Sequence, residues 1–314
     1  MNRPSANGRA DNERASTGLI YGLLAYGLWG VLPIYFKQLG GISSLDIVAH
    51  RIIWSLLFLT ALLAITRGWG QVRKGIKDRR TLALLLTTSV LIAVNWLLYV
   101  YAVTSGHILA GSLGYYLNPL MNILLGRFIL KERLTRLQWA AVGIAAAGVA
   151  VLAAGAGTTL WISLTLCVTF ATYGLLRKVA AVDAVAGLSI ETAILLPVAI
   201  AWLAIGAGDG RAIFGSSTQD LWLLTLSGIV STTPLLLFTS AARRLRYSTL
   251  GMLQFLAPTL QFLLAVLLYN EEFSSAHAIA FASIWTALAL YVSSLLRDIR
   301  AQRSAAASTD LSEA

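Results

Sequence analysis

Apolar runs of nearly uniform length recur along this chain, and they constrain its fold more than any other feature. They extend from Gly18 to Leu296, and most are about 17 to 25 residues long, the length with which an α-helix crosses the hydrocarbon core of a bilayer. We therefore predict an all-α, polytopic membrane protein with ten transmembrane helices. The predicted spans are 18–37, 47–66, 82–103, 108–130, 137–154, 160–176, 187–206, 221–242, 248–269 and 277–296.

Composition excludes a soluble fold. The chain is 57% hydrophobic and 12% charged, whereas soluble domains are about 25% charged. The net charge of +10 resides in short basic clusters between the apolar runs, which favours contact with anionic lipid headgroups over a nucleic-acid partner. Cys167 is the only cysteine, so an intrachain disulfide and a cysteine-based metal site are excluded.

Motifs for catalysis are absent from the sequence. Three histidines occur, without an HExxH pattern, and the chain has no GxSxG motif, no P-loop and no paired carboxylates within a span. We predict no enzyme activity, no catalytic residue, no metal and no cofactor. Without a nucleotide motif, uphill transport would draw on an ion gradient or on the gradient of the solute itself.

Basic residues alternate between the two sides of the predicted membrane. With the N-terminus inside, 21 of the 24 Lys and Arg residues fall on cytoplasmic segments, while Lys37 and Arg211 stay outside and Arg51 lies within a span. Because cytoplasmic loops carry the excess of positive charge, both termini are predicted to face the cytoplasm, with the chain in the cytoplasmic (inner) membrane. The first span is expected to be an uncleaved anchor, since it is too long for a signal-peptide core.

The two halves of the chain repeat. A shift of 139 residues lays Leu117-Asn-Pro119 on Leu256-Ala-Pro258, and a similar shift lays His50 on Glu191. Because each half has five spans, an odd number, the second half enters the membrane the opposite way round. The predicted organisation is a cytoplasmic tail (1–17), two inverted five-helix repeats (18–154 and 160–296) and a second cytoplasmic tail (297–314). Inverted repeats that hold a solute near the midplane are typical of transporters, and some channels also have them.

Prolines are concentrated within the apolar spans. Proline removes a backbone donor and bends a helix, which in a membrane protein is tolerated around cavities. We interpret five prolines as helix kinks, although proline is also simply more frequent in membrane helices. They are Pro33, Pro119, Pro197, Pro234 and Pro258.

Three ionisable side chains lie within the spans: His50, Arg51 and Glu191. A charge at membrane depth costs at least about 2.5 kcal/mol, so we predict that these residues bind solute charge or act at gates. His50 and Arg51 are placed near the outer end of their helix and Glu191 near the inner end of its own, so direct pairing is not expected. The alternative is that all three lie close enough to helix ends to reach water. If transport is coupled to protons, His50 and Glu191 are the candidate carriers.

Polar and aromatic residues form stripes on several spans. Side chains three and four positions apart share one face of a helix, and amides in lipid point inwards, where they either join helices or line a cavity. We predict that these residues line a substrate pathway suited to an amphipathic or aromatic solute. The set comprises Trp29, Trp54, Asn95, Trp96, Tyr99, Tyr115, Asn118, Asn122, Tyr173, Gln254 and Gln261.

Several uncommon sequence words run from about Ala25 to Tyr291. They are AYGLWG at 25–30, HRIIWS at 50–55, NWLL at 95–98, SLGY at 112–115, NPL at 118–120, YGL at 173–175, TPLLLFT at 233–239 and PTLQFLLA at 258–265. In these words the chain closely resembles the EamA branch of the drug/metabolite transporter superfamily. The resemblance implies a ten-helix fold in the cytoplasmic membrane, working by alternating access, and export. Some members of that group carry a label linking them to chloramphenicol sensitivity.

The interpretation favoured by these features is a secondary transporter that exports small organic molecules, either a metabolite or a drug such as an amphenicol. Two alternatives stay open at this point: a lipid-carrier flippase, and a membrane sensor or scaffold that retains the transporter fold without transport. The partners expected are a small-molecule substrate and the bilayer. Monomer and homodimer both fit, since the small-residue run at 140–157 suits tight packing of either kind.

Overall fold

The computed structural model describes residues 6–39, 42–104, 108–154, 160–208, 217–269 and 275–312. Twelve helices account for most of these residues. They are α1 (Ala6–Lys37), α2 (Ser44–Thr66), α3 (Trp69–Lys77), α4 (Arg79–Thr104), α5 (Ile108–Phe128), α6 (Arg136–Ala153), α7 (Leu160–Val179), α8 (Ala184–Gly208), α9 (Thr218–Ala242), α10 (Tyr247–Gln254), α11 (Leu256–Tyr269) and α12 (Ser275–Ser312).

The exposed and buried surfaces are inverted relative to a soluble protein. Large apolar side chains are exposed on the outside of the bundle, including Ile65, Leu267 and Val198. Amides and charges are buried inside it, among them Arg51, Asn118 and Glu191. In addition, six of the helices in the described part of the chain are long and apolar enough to cross a membrane: α1, α2, α4, α7, α8 and α9. This is the distribution that a lipid solvent requires.

Helix α3 lies between the predicted spans 47–66 and 82–103, where no helix is predicted from the sequence. The nine residues Trp69–Lys77 carry four polar or basic side chains, so no long apolar run marks them. Helix α2 ends at Thr66, its C-cap residue Arg67 adopts a left-handed conformation with φ of 54°, and Gly68 precedes the new helix. Asp78 then caps α4 by accepting a hydrogen bond from the Thr81 backbone N–H at 3.1 Å. Hydrogen bonds from Thr81 lower the pKa of the Asp78 carboxyl.

Both terminal helices extend into the polar tails. Helix α1 begins at Ala6, twelve residues before the predicted span at Gly18, and α12 continues from the end of its span at Leu296 to Ser312. Alanine has the highest intrinsic helix propensity, and both extensions are rich in it, so a helix leaving the apolar region has no local reason to stop.

The predicted ninth span is interrupted. It forms two helices, α10 and α11, that meet at Phe255. Pro258 lies in the first turn of α11, where a missing N–H breaks no intrahelical hydrogen bond. The hydroxyl of Tyr116, on α5, donates to the Pro258 carbonyl at 3.4 Å. Of the five prolines, Pro258 therefore coincides with a helix break, whereas Pro33, Pro119, Pro197 and Pro234 lie inside continuous helices.

At the helix ends that the charge count places on the cytoplasmic side, charged side chains bind backbone groups of neighbouring helices. Glu132 accepts hydrogen bonds from the backbone N–H groups of Tyr247 at 2.6 Å and Ser248 at 3.0 Å, the first residues of α10. Lys178 donates to the Ala242 carbonyl at the end of α9 at 2.8 Å. Arg243 donates to the Ala180 carbonyl just after α7 at 2.7 Å. Anions at helix N-termini and cations at C-termini are both favourable, so these contacts join the ends of neighbouring helices.

Candidate functional site

A narrow cavity of about 20 Å³, with room for about one water molecule, lies between four helices, α2, α4, α8 and α9. Its walls combine two charged residues and several hydroxyls with apolar side chains. The lining residues are Arg51, Ile52, Ser55, Ile92, Trp96, Leu188, Glu191, Thr192, Leu195, Ser231, Thr232 and Leu235. Three of the residues predicted from sequence, Arg51, Trp96 and Glu191, are thus brought together here.

Arg51 is stacked on Trp96. The guanidinium carbon lies 3.0 Å from the centre of the indole ring, and the residue is only 9% exposed. Its Nη2 atom is buried and has no hydrogen-bond partner among the described residues. A cation over a tryptophan face is attracted by the ring electrons, which fixes the guanidinium in place but satisfies none of its N–H groups.

Glu191 is the acid of the cavity, and its carboxylate is surrounded by partners. Arg177 Nε lies 3.6 Å from Glu191 Oε1, and both side chains are almost fully buried. Thr88 donates to Oε1 and Tyr173 donates to Oε2, the latter at 3.3 Å. Because a buried charge is tolerated when it is paired and hydrogen-bonded, Arg177 accounts for the presence of Glu191 at this depth.

Gly187 provides the space that Arg177 occupies. A Cβ added at Gly187 would lie 1.9 Å from Arg177 Nη1 and 2.5 Å from its guanidinium carbon. Arg177 Nη2 also donates to the carbonyl of Ala184 at 3.3 Å, and Ala184 lies in the first turn of α8, the helix that contains Gly187. The absence of a side chain at position 187 therefore allows the guanidinium to lie against the backbone of α8, within reach of Glu191.

One wall of the cavity is built by direct contact between two backbones. A Cβ at Gly228 on α9 would lie 2.4 Å from the Trp54 carbonyl carbon and 2.5 Å from the Ser55 nitrogen. Thr232 donates to the Ser55 hydroxyl at 2.7 Å one turn further along α9. The predicted pathway residue Trp54 thus belongs to the helix face that packs on α9, close to the cavity but not among its lining residues.

Four of the predicted pathway amides join helices to one another. Asn95 donates to the Leu166 carbonyl and to Thr169 on α7, both at 2.9 Å. Gln261 donates to the Trp29 carbonyl at 3.0 Å. Asn122 donates to Gln254 at 2.7 Å, which connects α5 to α10. These are the interhelical hydrogen bonds that polar side chains form within membrane bundles, and none of the four amides lines the cavity.

Trp29, Tyr99 and Tyr115, which were also predicted for the pathway, contact other aromatic rings and do not line the cavity. Trp29 belongs to an aromatic cluster with Tyr26, Phe170 and Phe238, with ring centres 5.6 to 5.7 Å from Trp29. Tyr99 packs edge-on against Tyr115 at 5.4 Å.

Asn118 and His50 complete the predicted set. Asn118 is fully buried, and neither polar atom of its amide has a hydrogen-bond partner in the described part of the chain. His50 is buried on the same helix as Asp46 and interacts electrostatically with it. Asp46 in turn accepts a hydrogen bond from the indole N–H of Trp202 on α8 at 2.9 Å. Asp46 thus joins α2 to α8, and His50 does not line the cavity.

Arg177 is the residue of this region that sequence reasoning missed. It was counted with Lys178 as a basic residue of a cytoplasmic loop, yet it is fully buried. The sequence also separated Arg51 from Glu191 by placing them near opposite membrane surfaces, whereas both line one cavity. The available signal was Glu191 itself, since a carboxylate in a span needs a cation, and Arg177 lies fourteen residues earlier across a short turn.

Comparisons with known proteins agree with this architecture. Residues 16–154 match the model of the EamA-like transporter family. The chain is 44% identical over 283 residues to Protein RarD of Escherichia coli, covering 90% of this chain and 96% of that protein. It is 44% identical over 282 residues to an uncharacterized transporter of Vibrio cholerae, covering 90% of this chain and 93% of that protein. It is also 41% identical over 292 residues to the uncharacterized transporter YojE of Bacillus subtilis, covering 91% of this chain and 97% of that protein.

A solved crystal structure shares the fold, with a TM-score of 0.69 at 22% identity over 88% of this chain and 97% of the other. The sequence relatives carry the family assignment, because they exceed 40% identity along nearly the whole chain. Together with the apolar exterior, they make this a multi-pass membrane protein of a transporter family. The chain belongs to the EamA family of the drug/metabolite transporter superfamily, with RarD proteins among its homologues.

Proposed function

We propose that this protein is a secondary transporter that moves a small organic molecule through the cavity by alternating access. The observation that carries the proposal is the origin of the cavity walls. Arg51 and Trp96 come from the first half of the chain, and Glu191 and Thr232 come from the second. A polar chamber between two halves at membrane depth is where transporters with internal repeats hold their solutes.

The pattern of helix contacts supports ten spans in two inverted repeats. The first repeat comprises α1, α2, α4, α5 and α6, and the second comprises α7, α8, α9, α10–α11 and α12. Equivalent helices contact each other in the pairs α2–α8, α5–α10 and α6–α12. The remaining large contacts occur as exchanged pairs: α1–α9 with α7–α4, α2–α9 with α8–α4, and α5–α7 with α1–α11. A two-fold relation between the halves accounts for this pattern, and we propose that its axis lies in the membrane plane because each half has an odd number of spans.

We further propose that the protein resides in the cytoplasmic membrane with both termini inside, and that transport is export. The basic residues at the ends of α7 and α9 and in α3 support this orientation. Tags on the N-terminal and C-terminal tails should both be protected from an external protease in intact cells. Tags on opposite sides would contradict the inverted repeat.

The substrate is proposed to be an organic solute with an apolar part, because five of the cavity residues are Ile or Leu. A relative in Pseudomonas aeruginosa is named chloramphenicol-sensitive protein RarD, at 33% identity, so amphenicols belong in any solute panel. If protons drive transport, Glu191 is the better candidate carrier of the two, because it lines the cavity and His50 does not. Proton flux unchanged in a His50→Gln, Glu191→Gln double variant would exclude both.

A flippase is less well supported by the described surface. A groove bounded by Val31 and Leu260 opens on the outside of α1 and α11, and all six of its lining residues are Val or Leu. A lipid carrier would need polar groups along such a groove for its headgroup. The sensor alternative predicts no flux of any solute.

The test is solute flux in proteoliposomes with a panel of labelled amino acids, amphenicols and small carboxylates. Ser231→Trp should block flux by filling the cavity. Ile229→Trp is the matched control, because Ile229 lies two residues away on α9 and faces outward at 44% exposure. Flux that survives Ser231→Trp would show that solute passes elsewhere, and a wild-type protein without flux for the whole panel would favour the sensor.

A further inference from the structure

We propose that the solute is an organic anion, whose carboxylate or equivalent acid group binds Arg51. This inference rests on the proposed function and specifies the chemical class of the substrate. Two charged groups line the cavity, Arg51 and Glu191, and they differ in one respect: one has its counter-ion within the protein and the other does not.

Arg51 is the charged residue of the cavity lining that has no ion-pair partner among the described residues. Arg177 and Glu191 neutralise each other. Asp46, the nearest acid on the helix of Arg51, accepts a hydrogen bond from Trp202, and no carboxylate of the described residues forms an ion pair with Arg51. An uncompensated charge at this depth is unfavourable, so the chamber favours a solute that carries the opposite charge.

Two hydrogen-bond donors of the cavity lack partners, and both suit an anion. Arg51 Nη2 and the Ser231 hydroxyl are buried, line the cavity and have no hydrogen-bond partner within the described residues. Guanidinium groups form their strongest hydrogen bonds with carboxylate or phosphate oxygens. The face of the same guanidinium is already occupied by Trp96, which leaves the edge of the group for a ligand.

The remaining walls indicate that the anion carries an apolar body. Ile52, Ile92, Leu188, Leu195 and Leu235 complete the walls, so a solute that enters when the helices separate meets apolar surface around the Arg51 guanidinium. Apolar surface with a few placed polar groups is the usual composition of a small-molecule site. The class that fits is therefore a monoanionic amphipathic molecule, such as an aryl or alkyl carboxylate.

The experiment compares carboxylates with their uncharged amides on the purified full-length protein in nanodiscs. The probes are phenylacetate with phenylacetamide, hexanoate with hexanamide, and N-acetylphenylalanine with its amide. For at least one pair, the carboxylate should bind roughly 10- to 100-fold more tightly, the range that a hydrogen-bonded charge contributes. Arg51→Gln should remove this preference, and Ser231→Ala should reduce it by less.

The matched control is Arg73→Gln, which makes the same change on the exposed surface of α3 and should leave the preference unchanged. If the amides bind as well as the carboxylates in every pair, or if no probe binds, the inference is overturned. Transport itself is judged separately: flux of a neutral solute that Ser231→Trp blocks would preserve the proposed function while this inference fails. If no solute showed flux but carboxylates bound at Arg51, the inference would hold and the proposed transport function would fail.

Discussion

Two arginines are buried in the same bundle, and they differ in how their charge is satisfied. Arg177 has a carboxylate partner, Glu191, and backbone carbonyls at the start of α8. Arg51 has an aromatic face and no carboxylate partner among the described residues, although both guanidinium groups keep buried nitrogen atoms without a hydrogen bond. The difference teaches that burial of a charge does not by itself identify a binding site. A charge that is paired by the protein holds helices together, whereas one that is left unpaired beside a cavity is available to a ligand.

The largest effect is expected from removing the cation of the paired site. Arg177→Met leaves Glu191 buried without its counter-ion, and breaking a buried pair costs about 3–5 kcal/mol. The double variant Arg177→Met, Glu191→Gln should recover much of this loss, because the lone charge is gone. Thermal unfolding in detergent measures both. A single variant as stable as wild type would mean that the pair does not stabilise the fold.

Next in size is the loss of the space that Gly187 provides. Gly187→Ala places a methyl group where the Arg177 guanidinium lies, and overpacking of this kind costs about 1–3 kcal/mol. Gly27→Ala is the control, since no atom lies within 4 Å of a Cβ at that position; it should be neutral or slightly stabilising. Equal unfolding temperatures for the two variants would show that Arg177 can move away at little cost.

A further charge, the partly buried Glu132, is satisfied by backbone N–H groups and so tests a different kind of partner. Glu132→Ala should destabilise the protein by about 2 kcal/mol, because the first N–H groups of α10 lose their acceptor. Glu132→Gln retains an acceptor oxygen and should lose less. Hydrogen exchange at Tyr247 and Ser248 should increase in the alanine variant and change little elsewhere. If exchange at Tyr247 and Ser248 were the same in the alanine variant as in wild type, the capping role would be excluded.

The smallest effect is predicted for the unpaired arginine. Arg51→Met removes a buried charge that has no counter-ion and keeps much of the apolar stem, so stability should change by less than about 1 kcal/mol or increase. The same unfolding assay as for Arg177→Met makes the two arginines directly comparable. A loss as large as that of Arg177→Met would mean that Arg51 has a structural role and would remove the distinction drawn between them.

Sequence reasoning located the helices well because apolar length is a local property. It missed α3, since nine residues with four polar side chains carry no such signal, and it missed the interruption at Phe255. Among the site residues, Trp96 lies at the cavity together with Arg51 and Glu191, which were expected near opposite membrane surfaces, whereas Asn95 and Gln261 bind neighbouring helices. An amide on an inward face satisfies either role, and only its partner distinguishes them. Arg177 was missed because it lies beside Lys178 in the last turn of α7, where a basic residue is usually exposed. Whether a residue near a helix end is buried depends on tertiary packing, which the sequence does not show.

The close contact of α2 with α9 at Gly228 has a mechanical consequence. No side chain lies between the two backbones, so they cannot move closer together. A Ser55–Thr232 hydrogen bond beside the contact would break if they moved apart. They should therefore travel as one rigid body. Any widening of the chamber that admits or releases a solute would then come from movement of α4 and α8, the other two helices of its walls.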